Sequence, residues 1–220
     1  MAAQDKDFRD LLGAVEHQLA ASFALYERVR RLASLPETLQ SRTLELFRRD
    51  GDAGAEVRLE PYAKVTPHAA FGFEQGLAAT LAWRDRTVPA GFAEEFGHAV
   101  EITIADGGGS RWFALEIDAP WWEIRRAAAL SVVAAARFDG DFRASLEVFV
   151  WDHAGTRHTI ASRAFLFEAA ASTLQLNLPI AIPPEIVLDE SREPRVALFL
   201  PRDPTRLTLD HLWLRLHPAA

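Results

Sequence analysis

The sequence predicts a mainly β protein, an antiparallel β-sandwich preceded by an N-terminal α-helical hairpin. Two observations carry this. Apolar residues recur every three or four positions before Gly51, and close to every second position after it. Turn-forming clusters then cut the second part into about nine short apolar runs, the pattern of a sandwich or barrel.

The first helix is read over 8–33. Phe8, Leu12, Val15, Leu19, Phe23, Tyr26, Val29 and Leu32 form one stripe, acidic residues (Asp5, Asp7, Asp10) stand near its start, and arginines (Arg28, Arg30, Arg31) near its end. Its stripe is wide enough to suggest a coiled-coil contact with a second copy, and hence a homo-oligomer. Ser34 and Glu37 have the spacing of a capping box, which predicts a second helix running to about Arg49 with Leu39, Leu44 and Phe47 as its apolar side. Asp50-Gly51-Asp52 stops it. Residues 1–50 are thus expected to be a helical segment for oligomerisation or attachment, and 51–220 the sandwich.

Strands are expected over about 57–65, 77–83, 99–105, 111–118, 128–137, 144–151, 157–167, 195–200 and 206–216. Leu146, Val148 and Val150 should face inward, with Glu147, Phe149 and Trp151 on the other side. The runs 128–137 and 144–151, joined by Phe138-Asp-Gly-Asp, read as a β-hairpin. In the last run Leu207 and Leu209 share one parity and Leu212, Leu214 and Leu216 the other, so a β-bulge is expected near Asp210-His211.

Composition narrows the function classes. The chain has no cysteine, which removes disulfides and thiolate metal sites. Its net charge is -7, and residues 1–50 hold eight basic and eight acidic residues, so the whole excess falls on the β part. Such a body repels phosphate backbones, and no nucleic-acid partner is expected. The first residues lack the basic and apolar regions of a secretory signal, and no run approaches the ~18 apolar residues of a membrane span. A cytoplasmic location is the expectation, with export by a route lacking a cleaved signal as the alternative.

Phe113-Ala-Leu-Glu-Ile-Asp118, Leu130-Ser-Val-Val-Ala-Ala-Ala136, Ser145-Leu-Glu-Val-Phe-Val-Trp151 and the closing Leu207-Thr-Leu209 and Leu212-Trp-Leu-Arg-Leu216 follow one another in an order that resembles the jelly-roll sandwiches of carbohydrate-binding modules and galactose-binding-like domains. The resemblance covers roughly residues 111–216 and is one of strands and turns. It implies a jelly-roll-like fold and a carbohydrate or glycan surface as partner.

Three of the six tryptophans fit a sugar platform, in which an aromatic face meets a pyranose and polar groups ring it. These are Trp121 and Trp122, at a loop or strand entrance after Pro120, and Trp151 at a strand end. Asp118, Glu123, Arg125, Arg126, Asp152 and His153 could supply the ring. The competing structural role is that one of Trp121 and Trp122 plugs the end of the sandwich. His153 and His158 with Asp152 could gather a metal, although solvated loop positions account for them better. Asp50-Gly-Asp52 and Asp139-Gly-Asp141 lack the ligand spacing of an EF-hand, which leaves room only for a structural calcium ion of another kind. No other cofactor is expected.

Catalytic patterns are weaker. Glu94, Glu95, Glu101, Glu116 and Asp118 offer carboxylates without a stated separation, and Ser110, Ser131 and Ser145 lack a nucleophile elbow. The expectation is therefore a non-catalytic glycan-binding sandwich. A structural or assembly protein working through protein contacts is the alternative, and a carbohydrate-active hydrolase the third reading.

Overall fold

A computed structural model describes residues 37–48, 54, 56–85, 97–138, 140–168 and 173–219. The helix read over 8–33, and with it the hairpin and the self-association, lies outside these residues. So do Glu94 and Glu95 and the Asp50-Gly-Asp52 stop.

The described chain begins with a short helix, α1 (Leu39–Glu45). Its cap is Thr38, not Ser34. Thr38 Oγ1 accepts from the Ser41 amide at 3.1 Å, and Ser41 Oγ accepts from the Thr38 amide at 2.9 Å, so a serine performs the reciprocal role expected of Glu37. The helix starts where its apolar face meets the sandwich. Leu39, Leu46 and Phe47 are fully buried in the same core as the strands. Two long-range hydrogen bonds fasten it, from the Leu39 amide to Glu123 Oε2 (2.6 Å) and from Trp83 Nε1 to Leu46 O (2.8 Å). It ends at Glu45, short of the expected Arg49. Thr38–Ala220 forms one compact unit, so this helix is packed as part of the sandwich.

Strands follow in the order β1 (Glu56–Arg58), β2 (Lys64–Thr66), β3 (Ala69–Phe73), β4 (Ala78–Arg84), β5 (Ala99–Asp106) and β6 (Phe113–Asp118). After a one-turn helix, α2 (Trp121–Ile124), come β7 (Ala127–Phe138), β8 (Phe142–Trp151), β9 (Arg157–Phe167), β10 (Thr173–Pro179), β11 (Arg195–Phe199) and β12 (Thr205–Pro218). They build two antiparallel sheets. Sheet A has the order β1-β4-β5-β12-β7-β10 and sheet B the order β2-β3-β6-β11-β8-β9. Successive strands change sheet repeatedly, as in a jelly roll.

Three local readings are revised. The run expected over 57–65 is two strands, because Tyr62 takes a left-handed φ of 60° and turns the chain from sheet A to sheet B. β3 and β10 were not expected. β3 is short, rich in alanine and buried throughout, so it lacks an alternating pattern; β10 alternates Leu174, Leu176 and Leu178 but ends in proline, tolerable because it is an edge strand. The expected hairpin of β7 and β8 does not form, since β7 pairs with β12 and β10 in sheet A while β8 pairs with β11 and β9 in sheet B. Both strands bury one alternate set of side chains, and the chain between them places these sets face to face across the core instead of edge to edge.

Other readings hold. Leu146, Val148 and Val150 are fully buried in the core. The register of β12 shifts between Leu209 and His211, so Leu207 and Leu209 face inward together with Leu212, Leu214 and Leu216. Aromatic rings fill one end of the core, where Phe142 lies 4.4 Å from Phe138 and 4.9 Å from Phe167.

Candidate functional site

The outer face of sheet B does not end at its backbone. Ala114 (β6), Ala197 (β11) and Phe149 (β8) point away from the main core yet are buried, because Trp112, Trp151 and Phe199 lie against them as a second apolar cluster. Small residues make this layer: Ala197 stands opposite both Glu116 and Glu147, and Gly72 opposite Ala114. A Cβ on Gly72 would come within 2.7 Å of the Trp112 ring and 2.5 Å of Glu116 Oε1, so the glycine leaves the space these two groups occupy. Trp112, Trp151 and Phe199 are each only half-buried, which leaves part of every ring in solvent. Tyr62 joins them, its ring 5.7 Å from Trp112, and remains 50% exposed.

Charges are set into this aromatic layer. Arg195, on β11, donates from Nη1 to Glu116 Oε2 at 2.6 Å and from Nε to Asp118 Oδ1 at 3.0 Å, and its guanidinium lies 5.3 Å from the centre of the Trp151 ring. Burial pushes the Arg195 pKa down, but Glu116 and Asp118 outweigh it and the net shift is upward. Glu116 is only 7% exposed. The Tyr62 hydroxyl is pushed up, first by burial and then by the charge of Glu116. Arg157 stacks over Phe149 at 4.8 Å. The result is a rigid alternation of rings, carboxylates and guanidinium groups across four strands, able to hold a planar apolar surface that carries hydrogen-bonding groups.

Of the candidates read from sequence, the structure brings Trp151 and Asp118 into this face, where with Arg195, Arg192 and Glu193 they line a pocket of about 310 Å³. Four others fasten the loop 187–194 that walls it. Trp121 is half-buried against the main core and donates from Nε1 to Arg192 O at 2.9 Å. Arg125 lies over the Trp121 ring and pairs with Glu190. Asp152 forms an isolated bridge with Leu188, and the His153 amide donates to Val187 O at 3.3 Å. Trp121 and Trp122 sit on α2, not in a loop. Trp121 plays the plugging role at the end of the sandwich; Trp122 is 41% exposed and is not part of the outer cluster. Glu123 accepts from the α1 amide described above, and burial raises its pKa. Sequence reading missed Tyr62, Trp112 and Arg195, and weighed Glu116 only as a catalytic carboxylate. The alternation of Ala114, Glu116 and Asp118 was the available signal.

Asp152 and His158 form a pair at 2.9 Å, which holds the Asp152 carboxyl below the usual range, and among the described residues no metal group forms with His153. Among the described residues the group that could surround a cation is His68, Asp118 and Glu193, whose ligand atoms all lie within 4.8 Å of one another. It suits calcium poorly. Lys64 and Arg195 already neutralise Asp118, and Arg42 holds both oxygens of Glu193, whereas calcium asks for about six to eight oxygen ligands. No described helix is long and apolar enough to cross a membrane.

Fold and site together define a two-sheet jelly-roll sandwich with an aromatic, charge-paired outer face. No family model and no curated protein matches the chain. Among solved structures it is similar to the family 11 carbohydrate-binding module from Clostridium thermocellum in complex with a β-1,3-1,4-mixed-linked tetrasaccharide (10% identity, 77% of this chain and 100% of that one, TM-score 0.43). It is also similar to the CBM22-1 xylan-binding domain from Paenibacillus barcinonensis Xyn10C (11% identity, 78% and 100%, TM-score 0.45). A third likeness is to arabinose-bound MgGH51 α-L-arabinofuranosidase (16% identity, 76% of this chain but 27% of that one, TM-score 0.44).

Proposed function

We propose that this chain is a non-catalytic carbohydrate-binding protein that holds a glycan against the outer face of sheet B. The observation that carries the reading is the set of half-exposed rings, Trp112, Trp151 and Phe199, lying on a floor of small residues beside the Glu116–Arg195–Asp118 network. Rings offer an apolar surface to the C–H face of a pyranose, and prearranged carboxylates and guanidinium groups meet its hydroxyls. The side chains are already held in place by packing and ion pairs, so little ordering entropy opposes binding. The non-catalytic part of the proposal rests on the same network. A glycosidase sets an acid and a second carboxylate on opposite sides of the scissile bond, whereas Glu116 and Asp118 lie two residues apart on one strand and share one arginine.

A glycan array followed by calorimetric titration of the best ligand tests this. Trp112→Ala and Trp151→Ala are expected to weaken binding at least tenfold, about 1.4 kcal/mol, while retaining a cooperative melt. An array with no bound glycan, or two variants that bind like the parent, overturns the proposal.

A further inference from the structure

We infer that the sheet B face takes a uronate-bearing glycan, with Arg143 holding the sugar's carboxylate; this rests on the glycan-binding reading above and names its ligand class. Arg143 lies on β8 at the same parity as Ser145 and Glu147, whereas Ala144 and Leu146 between them are buried in the core. Arg143 therefore belongs to the outer face. It borders a pocket of about 480 Å³ together with the rings of Trp112 and Phe199, within the roughly 300–1,000 Å³ of ligand pockets. Ser145 stands opposite Phe199 in the register, so Arg143 is rooted two residues, roughly 7 Å, along β8 from that ring. A pyranose resting on Phe199 has its C6 carboxylate to one side, within reach of an arginine placed at that offset.

Three arginines line this pocket, and two of them are committed. Arg111 donates from Nε and Nη2 to Glu74 Oε1 at 2.8 and 2.6 Å, and Arg202 Nη1 donates to the carbonyls of Ser110 and Arg111. Arg143 is exposed and makes no hydrogen bond, ion pair or ring contact among the described residues. Of the acids on the walls, Glu147 already faces Arg157 at 3.5 Å, and neither Asp141 nor Asp203 pairs with Arg143. A guanidinium fork matches the two oxygens of a carboxylate, and such a charge-assisted pair is stronger than the neutral hydrogen bond a hydroxymethyl group would form in its place. The net charge of -7 opposes an anion only weakly here, because charges farther off than about 8 Å are largely screened at physiological ionic strength. The nearby guanidinium decides the preference.

The test is titration of the full chain with neutral tetrasaccharides (cello-, manno- and galacto-) and with their C6-oxidised uronate counterparts. The parent is expected to favour at least one uronate over its neutral form at least tenfold. Arg143→Gln should bring that ratio close to one and leave neutral affinity within about twofold, since an exposed substitution seldom disturbs the fold. Arg143→Lys keeps the charge without the fork and should retain part of the preference. Arg215→Gln, an exposed change on sheet A, should leave the ratio as in the parent and so separates a local pair from overall charge. Neutral binding without a uronate preference, an unchanged ratio in Arg143→Gln, or an equal loss in Arg215→Gln overturns this inference while Trp112→Ala still reports on glycan binding. No binding of any tetrasaccharide overturns both.

Discussion

Tyr62 holds a left-handed backbone conformation that a bulky side chain adopts at a cost of order 1–3 kcal/mol. The strain is sustained where the chain passes from one sheet to the other, and it sets the ring beside Trp112. Gly72 has the complementary role. It lies in extended backbone, so its absent side chain serves space and not φ. Gly72→Ala is therefore expected to force Glu116 and Trp112 apart, costing about 1–3 kcal/mol of stability by overpacking and reducing oligosaccharide affinity more than tenfold. Chemical denaturation and titration of the same preparation check it; parental affinity would mean that the placement of Trp112 and Glu116 is irrelevant to binding. Sequence could point to Trp151 and Asp118 because each ends an apolar run beside polar residues. It could not point to Trp112 or Arg195, whose partners lie on strands tens of residues away.

At the scale of the element, β12 shows how one extra residue fixes a fold. Strict alternation from Leu207 to Leu216 would leave either the first or the second group of leucines in water. The bulge at Asp210 turns both groups inward, and the nearly buried Asp210 is clamped by Arg137 Nε and Nη2 at 2.9 and 2.8 Å. Deleting Asp210 is expected to abolish folded protein, because half of a central strand changes face. Asp210→Asn keeps the residue count and should lose only about 1.5–3 kcal/mol, the worth of hydrogen bonds to a charged group. Soluble yield and thermal melting distinguish the two, and a deletion variant that melts like the parent would remove the bulge from this account. The change of parity was readable in the sequence. The separation of β7 and β8 into different sheets was not, since a run of alternating residues states which side is buried but not which strand lies beside it.

For the whole molecule, α1 belongs to the packing of the sandwich. Leu39, Leu46 and Phe47 are fully buried, and Arg42 reaches from α1 to both oxygens of Glu193, at 2.8 and 2.9 Å, and to the Asp118 carbonyl. A chain beginning at Thr38 is therefore expected to melt cooperatively, and one beginning at Gly51 to lose several kcal/mol, since each large core side chain removed typically costs about 2–5 kcal/mol. Circular dichroism melts of the two truncations check this; equal stability would place the boundary after residue 50.

The sequence by itself determined the class of the fold, most strand positions, the inward set of β8 and the bulge of β12. These follow from side-chain period, burial and turn chemistry, all of them local. Only the tertiary structure decided that β3 and β10 exist, that Thr38 caps α1, and that the tryptophans at 121 and 151 divide into a loop fastening and an aromatic face. It also decided that Trp112, Glu116, Glu147 and Arg195 meet on that face. Their meeting depends on strand order and register, and these are fixed by pairing between strands far apart in the chain, of which a single strand's pattern carries no record.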